Sequence, residues 1–480
     1  MRSFKTDSSK AILILIILLF IVLLRLPHIS NSPNEYHAWR QSDTEAIARN
    51  FTTDGLNIFL PQLNYDGPLP NYVQLELQLT TFIIALLYKA FGYHYVLARM
   101  VPLVFFIGSV YYLYRLAASL YDAKTALYTA ILYGILPLNL FFSRAIMPES
   151  AALFFYIGAF LYFCEWIKSE SQLHFVVSAL FTALAVTQKI PAVFVCIPML
   201  YLAVQKNRAK SNANKDKFFK RRFLTFSAIS IGLPLLYFGA LQMAAETDYV
   251  KGIALELILP NFGTAIFSAD AQAFFQSFLY RLFTPYALIL FVAGLFTIRF
   301  PRDGALLIWT LAIALEVVTI VAVIKLEYYL IFAGPIIALW GAKAFEYLSK
   351  KRLGPLIIIM CSLVLFHGWH NIKYYYQEDA VLASQAAMIE QNTAKSDLLV
   401  IGTSAPMLLN LSNRQGWRAI PGTFPSAEQE LGYYINNGAK YFFPAAEFFQ
   451  NEAYVSYREF LDINFQKIET EGDYFFYRLH

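Results

Sequence analysis

The sequence predicts a polytopic α-helical membrane protein that ends in a small α/β domain outside the cytoplasm. Three observations carry that reading. Of the 480 residues, 58% are hydrophobic and only 15% charged, against about 25% charged in a soluble chain. No soluble core absorbs that much apolar surface, whereas spanning helices turn it to lipid. Apolar stretches recur as far as residue 371 at a spacing that suits about 11–13 spans, and beyond His370 the composition becomes polar and globular. Finally, basic residues gather in a few loops, as they do where loops face the cytoplasm.

In chain order, Lys5 and Lys10 precede an apolar run from Ala11 to Leu24. Arg25-Leu26-Pro27 follows, with no small-x-small cleavage site, so the run reads as an uncleaved first span with a cytoplasmic N-terminus. Residues 28–76 form a long outer loop rich in Asn, Asp, Tyr and Pro. Apolar runs then fall near 77–91, 97–121, 124–142, 150–167, 173–188, 190–205, 223–243, 282–298, 303–324, 328–347 and 354–371. The predicted domains are therefore a transmembrane body over 1–371, including the first outer loop, and a soluble domain over 372–480.

Lys206–Arg222 is the strongest basic cluster, and Arg299–Arg302 and Lys343–Arg352 are further basic turns. Placing all three in the cytoplasm puts 28–76, 143–149, Lys189, 244–281, Lys325–Tyr329 and the C-terminal domain on the opposite side. Glu76 and Glu149 then both lie outside, which requires an even number of crossings between them. The stretch 77–91 is accordingly placed in the outer interface as a juxtamembrane or re-entrant helix, and a two-helix split of another stretch would serve equally well.

In the tail, Asp397–Gly402 and Ala439–Pro444 read as strands, Ser426–Asn437 and Phe448–Leu461 as helices, and 464–480 as a closing hairpin. There is no Gly-rich phosphate loop, internal repeat or low-complexity tract. Cys164, Cys196 and Cys361 all lie in apolar stretches, so no disulfide framework is implied. The net charge of +5 is distributed between membrane segments and does not point to nucleic acid.

The centre of the outer loop reads Trp39-Arg40-Gln41-Ser42-Asp43-Thr44-Glu45, followed by Ala46, Ile47 and Phe51. Ser42 or Asp43 suits the N-cap of a helix with those apolar residues on its membrane side, and for Asp43 an N-cap carboxylate is the plainer reading.

The loop also resembles something known. An acidic residue in the first outer loop of a many-span chain is similar to the GT-C class of glycosyltransferases. More narrowly, the chain resembles glycosyltransferase family 39, which contains the protein O-mannosyltransferases and the lipid A aminoarabinose transferases. The matching stretches are Trp39–Thr44 with Ala48–Phe51, Leu75–Leu79, Phe91-Gly92 with Ala98-Arg99, Ser143–Glu149, Thr187–Pro191, Glu327–Tyr329 and Asn413–Trp417. They cover almost the whole chain in the family's order.

The resemblance implies a GT-C-like fold and an inverting hexosyl- or pentosyltransferase. Such an enzyme moves a sugar from a polyprenyl-phosphate donor to an envelope acceptor (a lipid, glycan or protein) on the outer face of the cytoplasmic membrane. Asp43 matches the family's catalytic base, and Glu149 its second acidic residue at the outer end of a span. Glu76 matches the carboxylate that helps hold a divalent metal in the aminoarabinose enzymes. Two features depart from the pattern. Thr44 splits Asp43 from Glu45 where many members have an Asp-Glu pair, and Leu77-Gln78 follows Glu76 where the aminoarabinose type has Lys-Pro. Aminoarabinose is therefore not supported as the sugar.

The chemistry explains the residue types. Displacing a polyprenyl phosphate from an anomeric carbon passes through an oxocarbenium-like state. A carboxylate takes the acceptor's proton, and cations stabilise the leaving phosphate. The candidate cations for the donor phosphate are Arg40, Arg99, Arg144, Lys189 and Lys325. Lys189 interrupts two apolar stretches, and snorkelling at a helix end explains it as well as a donor contact does. An exposed Trp417 suits stacking on an acceptor sugar, and a packed Trp after a Gly turn explains it nearly as well. Competing classes are a lipid-linked-glycan transporter or flippase and a non-catalytic envelope assembly protein. A transporter would show repeat symmetry and helices broken at mid-membrane, whereas the polar residues here cluster toward the outer face.

Overall fold

The computed structural model describes residues 8–208, 213–244, 252–470 and 474–480. Lys5, Lys210 and the stretch 245–251 thus lie outside the described residues, and within 8–10 and 213–220 only the helical backbone is described. Among the described residues, eight helices are long and apolar enough to cross a membrane, and Ala11–Leu23, Leu79–Phe91 and Gln172–Gln188 are shorter apolar helices. The chain is a multipass integral membrane protein. Fewer long spans appear among the described residues than the apolar runs suggested, because three runs form shorter helices and one is broken by proline. The run 124–142 divides into α5 (Ala123–Ile135) and α6 (Pro137–Phe142) where Pro137 supplies no N–H donor.

Before them come α1 (Ser8–Leu23), α2 (Ala38–Thr53), α3 (Leu79–Phe91) and α4 (Tyr95–Leu120). At 13 residues, α3 extends only about 20 Å, short of a hydrocarbon core of about 30 Å. It packs on α2 instead. Further along, α7 (Glu149–Ser169) packs between α4 and α8 (Gln172–Gln188). After α8 the chain is extended at Lys189, makes a 3-10 turn over Ile190–Val195 and continues as α9 (Cys196–Arg208). Pro191 fixes that break, since it clashes with a continued α-helix.

The next crossing is Arg221–Met243. The helix Ala269–Leu295 begins well before the expected residue 282 and kinks at Thr284-Pro285. Gly294 on it lies so close to the helix Ala333–Lys350 that an added Cβ would meet the Trp340 carbonyl oxygen at 2.0 Å. Leu235, Leu236 and Met243 are all largely exposed. That exposure is unfavourable in water and ordinary against lipid.

After the last spanning segment, the helix Ala380–Asn392 leads into a five-stranded sheet of order β2-β1-β3-β5-β4. Its strands are β1 (Leu398–Gly402), β2 (Gln415–Arg418), β3 (Ala439–Pro444), β4 (Gln466–Glu469) and β5 (Phe475–Arg478). β1 runs parallel to β2 and β3, and β5 pairs antiparallel with β3 and β4. The expected helix over Phe448–Leu461 is instead two, Ala446–Gln450 and Val455–Asn464, because the Asn451 side chain caps a new turn at Ala453 N.

Candidate active site

α2 begins earlier than the sequence suggested. Its N-cap is His37, in a left-handed conformation, and not Ser42 or Asp43. His37 Nε2 is 2.8 Å from Glu327 Oε1, and Tyr36 stacks on Tyr375 with ring centroids 3.7 Å apart. These contacts fix the helix start against the last spans. Ser42 Oγ donates to Trp39 O at 3.0 Å, so it caps nothing. Asp43 therefore lies inside the helix and is buried.

Both oxygens of Asp43 accept from neutral donors: Tyr65 Oη at 3.1 Å and Asn410 Nδ2 at 2.7 Å. Burial pushes its carboxyl from 3.8 up to about 6, against the opposing pull of Asn410, Arg40, Tyr65 and Arg418. Glu45 faces elsewhere, binding Arg49 Nε at 2.7 Å and Tyr88 Oη at 2.9 Å.

One turn before Asp43, Arg40 pairs with Glu76. Burial alone would lower the Arg40 guanidinium, but the charges of Glu76, Glu149 and Asp43 outweigh it and hold the proton on. The chain around Glu76 is tied to the end of α8: Leu77 N donates to Thr187 O at 2.9 Å, and Gln188 Nε2 to Leu77 O at 2.6 Å. That docking brings Glu76 beside Lys189. Lys189 Nζ donates to Glu149 Oε1 at 2.7 Å and lies 4.4 and 3.9 Å from the ring centroids of Tyr328 and Tyr329. Among the described residues, Glu149 Oε2 and Gln188 Oε1 are buried without a hydrogen-bond partner. The structure thus gathers Arg40 and Asp43 from one sequence motif with Glu76, Glu149 and Lys189 from three others. Asp43 is thus a buried carboxylate, Arg40 and Lys189 are cations each paired with a glutamate, and Glu149 Oε2 and Gln188 Oε1 are unpartnered acceptors among the described residues.

Other predicted residues stand apart. Arg99 and Arg144 are fully buried and share Glu35: Arg99 Nη1 donates to Oε1 at 2.9 Å and Arg144 Nη2 to Oε2 at 2.9 Å. Arg99 also donates to Asn31 O and Ser32 O, and Arg144 to His28 O. Both guanidiniums thus staple the outer loop to the Ser143–Pro148 turn and leave no surface for a phosphate, which corrects their assignment as donor contacts. Lys325 is partly exposed, with Asp270 at 3.9 Å.

Trp417 is the clearest correction. It is buried on β2 and stacked on Tyr434 at 5.3 Å, so it offers no face to an acceptor sugar. Its neighbour Arg414 donates to Glu390 O and Thr393 O at the end of the helix Ala380–Asn392. The Asn413–Trp417 motif is architectural.

A divalent metal at Glu76 also fails to fit. Its carboxylate is taken by Arg40, and no group of three or more His, Cys, Asp or Glu among the described residues is placed to hold an ion. No step below is routed through one.

Sequence reasoning missed Glu35, Tyr65, Asn410 and Glu316. Glu316 was detectable, since it is a carboxylate within an otherwise apolar span. It is buried with Oε1 unpartnered among the described residues, and it lies within electrostatic reach of Lys189. Tyr65 and Asn410 carried no signal, because only the fold brings them to Asp43.

Residues 78–238 match a family described as dolichyl-phosphate-mannose-protein mannosyltransferase. That stretch contains Arg99, Arg144, Glu149 and Lys189 but not Arg40, Asp43 or Glu76. No curated protein matches the chain. The fold is that of GT-C glycosyltransferases. ArnT from Cupriavidus metallidurans bound to undecaprenyl phosphate is similar with a TM-score of 0.68 at 11% identity, over 96% of this chain and 97% of that one. The apo oligosaccharyltransferase of Archaeoglobus fulgidus is similar with a TM-score of 0.62 at 12% identity, over 93% of this chain and 70% of that one.

Proposed function

We propose that this protein is an inverting glycosyltransferase that moves a hexose or pentose from a polyprenyl-phosphate donor to an envelope acceptor. The single observation that carries the proposal is the pairing of a buried carboxylate held by neutral donors, Asp43, with two buried or half-buried cations, Arg40 and Lys189. The polyprenyl donor is supported by the likeness to a transferase that binds undecaprenyl phosphate and by the family match over 78–238.

The acceptor hydroxyl attacks the anomeric carbon from the face opposite the phosphate. Its C–O bond forms as the sugar–phosphate C–O bond breaks, the acceptor's proton passes to an Asp43 oxygen, and the polyprenyl phosphate leaves with one additional negative charge. Arg40 and Lys189 face that charge, and a preorganised cation acts most strongly in a water-poor site. Glu76 and Glu149 hold the two cations in place, while Glu149 Oε2 and Gln188 Oε1 accept from sugar hydroxyls. In this reading the site lies on the outer side, with the N-terminus cytoplasmic and the C-terminal domain extracytoplasmic, an orientation the three basic loops support.

Protein reconstituted in liposomes with radiolabelled polyprenyl-phosphate hexoses and pentoses, and with envelope extract as acceptor, is expected to release polyprenyl phosphate and label the acceptor. Use of a nucleotide sugar with no lipid intermediate would overturn the reading. Mass spectrometry of envelope glycans from a deletion strain identifies the sugar and the acceptor.

A further inference from the structure

We infer that Asn410, carried by the soluble domain, is a positioning residue for Asp43, so that the domain supplies part of the transfer site itself. The inference rests on Asp43 being the base. Asn410 lies on the short helix Met407–Leu411, which packs on α2, and is 1% exposed. Its Nδ2 donates to Asp43 Oδ1 at 2.7 Å and to Ser42 Oγ at 3.1 Å. Only that amide orientation satisfies the carboxylate, because the reverse would set two acceptors against each other. The Asn410 Oδ1 is buried without a partner among the described residues. That oxygen is a spare buried acceptor on the amide whose nitrogen side is committed to Asp43 and Ser42.

The amide does not float. The soluble domain is pinned to the outer loop on a second side: Gly416 N donates to Asn64 O at 3.1 Å, and Gly67 N to Gly416 O at 3.0 Å. Arg418 grips both oxygens of Asp66, at 3.0 and 2.7 Å. Position 416 tolerates only glycine, since it has φ +151° and an added Cβ would meet Leu399 O at 1.8 Å. With the domain held there, Asn410 fixes one Asp43 oxygen while Tyr65 holds the other. The charged and titratable groups facing Asp43 are Arg40 on its own helix, Tyr65 from the loop and Arg418 from β2. Glu76 and Glu149 stand behind Arg40. A donor to the ionised form keeps the carboxylate available as a base at lower pH.

The test labels Asp43 with dicyclohexylcarbodiimide, which reacts with the protonated carboxyl. Labelling of the reconstituted full-length protein is followed from pH 4 to 9 by peptide mass spectrometry. The wild-type midpoint is expected near 6. Asn410→Ala raises it by about one pH unit. The isosteric Asn410→Asp, which keeps shape where the alanine variant folds poorly, raises it further by adding a second carboxyl. Transfer by Asn410→Ala is expected to fall most at low pH and to recover at high pH. An unmoved midpoint, or a loss of transfer uniform across pH, overturns the inference. Asp43→Asn serves as the separate control: if it still transfers, the base reading itself fails. If it is inactive while both Asn410 variants match wild type at every pH, only the role of Asn410 fails.

Discussion

Replacing Asp43 by Asn is expected to abolish transfer and, at the same time, to stabilise the protein. Burial raises this carboxyl from 3.8 to about 6. The folded chain thus holds the proton more tightly than the unfolded chain, and ionising Asp43 costs the fold stability. The cost is absent below the unfolded value, grows as pH rises, and is complete above the folded value. Two pH units correspond to about 3 kcal/mol. Asp43→Asn retains an acceptor for Tyr65 Oη or Asn410 Nδ2 and removes the charge. With an unfolding entropy of about 2.1 cal/mol/K per residue, that energy corresponds to a rise in Tm of about 3 °C for a chain of this length. The assay is a thermal melt in detergent at a fixed heating rate, at pH values from 4 to 9. Expected is a variant that melts higher than wild type at pH 8, with a gap that closes toward pH 4. Transfer measured in parallel should fall at least about a hundredfold. A variant that melts lower at pH 8, or a gap that ignores pH, would refute the reasoning, because the lost activity would then trace to misfolding.

Glu35→Gln strips two fully buried guanidiniums of their shared carboxylate and is expected to cost about 3–5 kcal/mol, seen as lost membrane expression, whereas near-normal expression would contradict the staple. Trp417→Phe is expected to lower stability by about 1–2 kcal/mol through lost stacking on Tyr434 and to leave the KM for the acceptor unchanged; a tenfold rise in KM would return Trp417 to the site. A reporter active only outside the cytoplasm, fused after His480, is expected to be active, and an active cytoplasmic reporter at the same position would reverse the orientation.

How much of this was legible in the sequence depended on the range of the interaction. The helical body and four of the five strands follow local periodicity, so apolar runs and alternation revealed them. β2 was missed because Gln415–Arg418 is short and follows a left-handed turn at Asn413, and its strand character comes only from β1 beside it. Asp43 was singled out by resemblance, but its position in the helix was misjudged. The N-cap reading failed because packing of Tyr36 and His37 against distant residues, not Ser42, sets the start of α2. Lys189 was visible as a charge between apolar runs, and its partner Glu149 became evident only once α7 and α8 lay side by side. Arg99 and Arg144 look like phosphate ligands in one dimension. Glu35, more than sixty residues before either, makes them structural.

The distance along the chain between Asp43 and Asn410 also has a consequence in time. They are 367 residues apart, and ribosomes add about 5–20 residues per second. Asp43 is therefore made roughly 20–70 s before the amide that binds it, and the C-terminal sheet domain must then fold. Throughout that interval the Asp43 carboxylate lacks its Asn410 partner and the outer loop lacks its contacts with Gly416 and Arg418. On the roles proposed for Asp43 and Asn410, late synthesis of the amide acts as a delay, and a chain truncated before residue 410 is expected to be inactive in the transfer assay however well its membrane helices have formed.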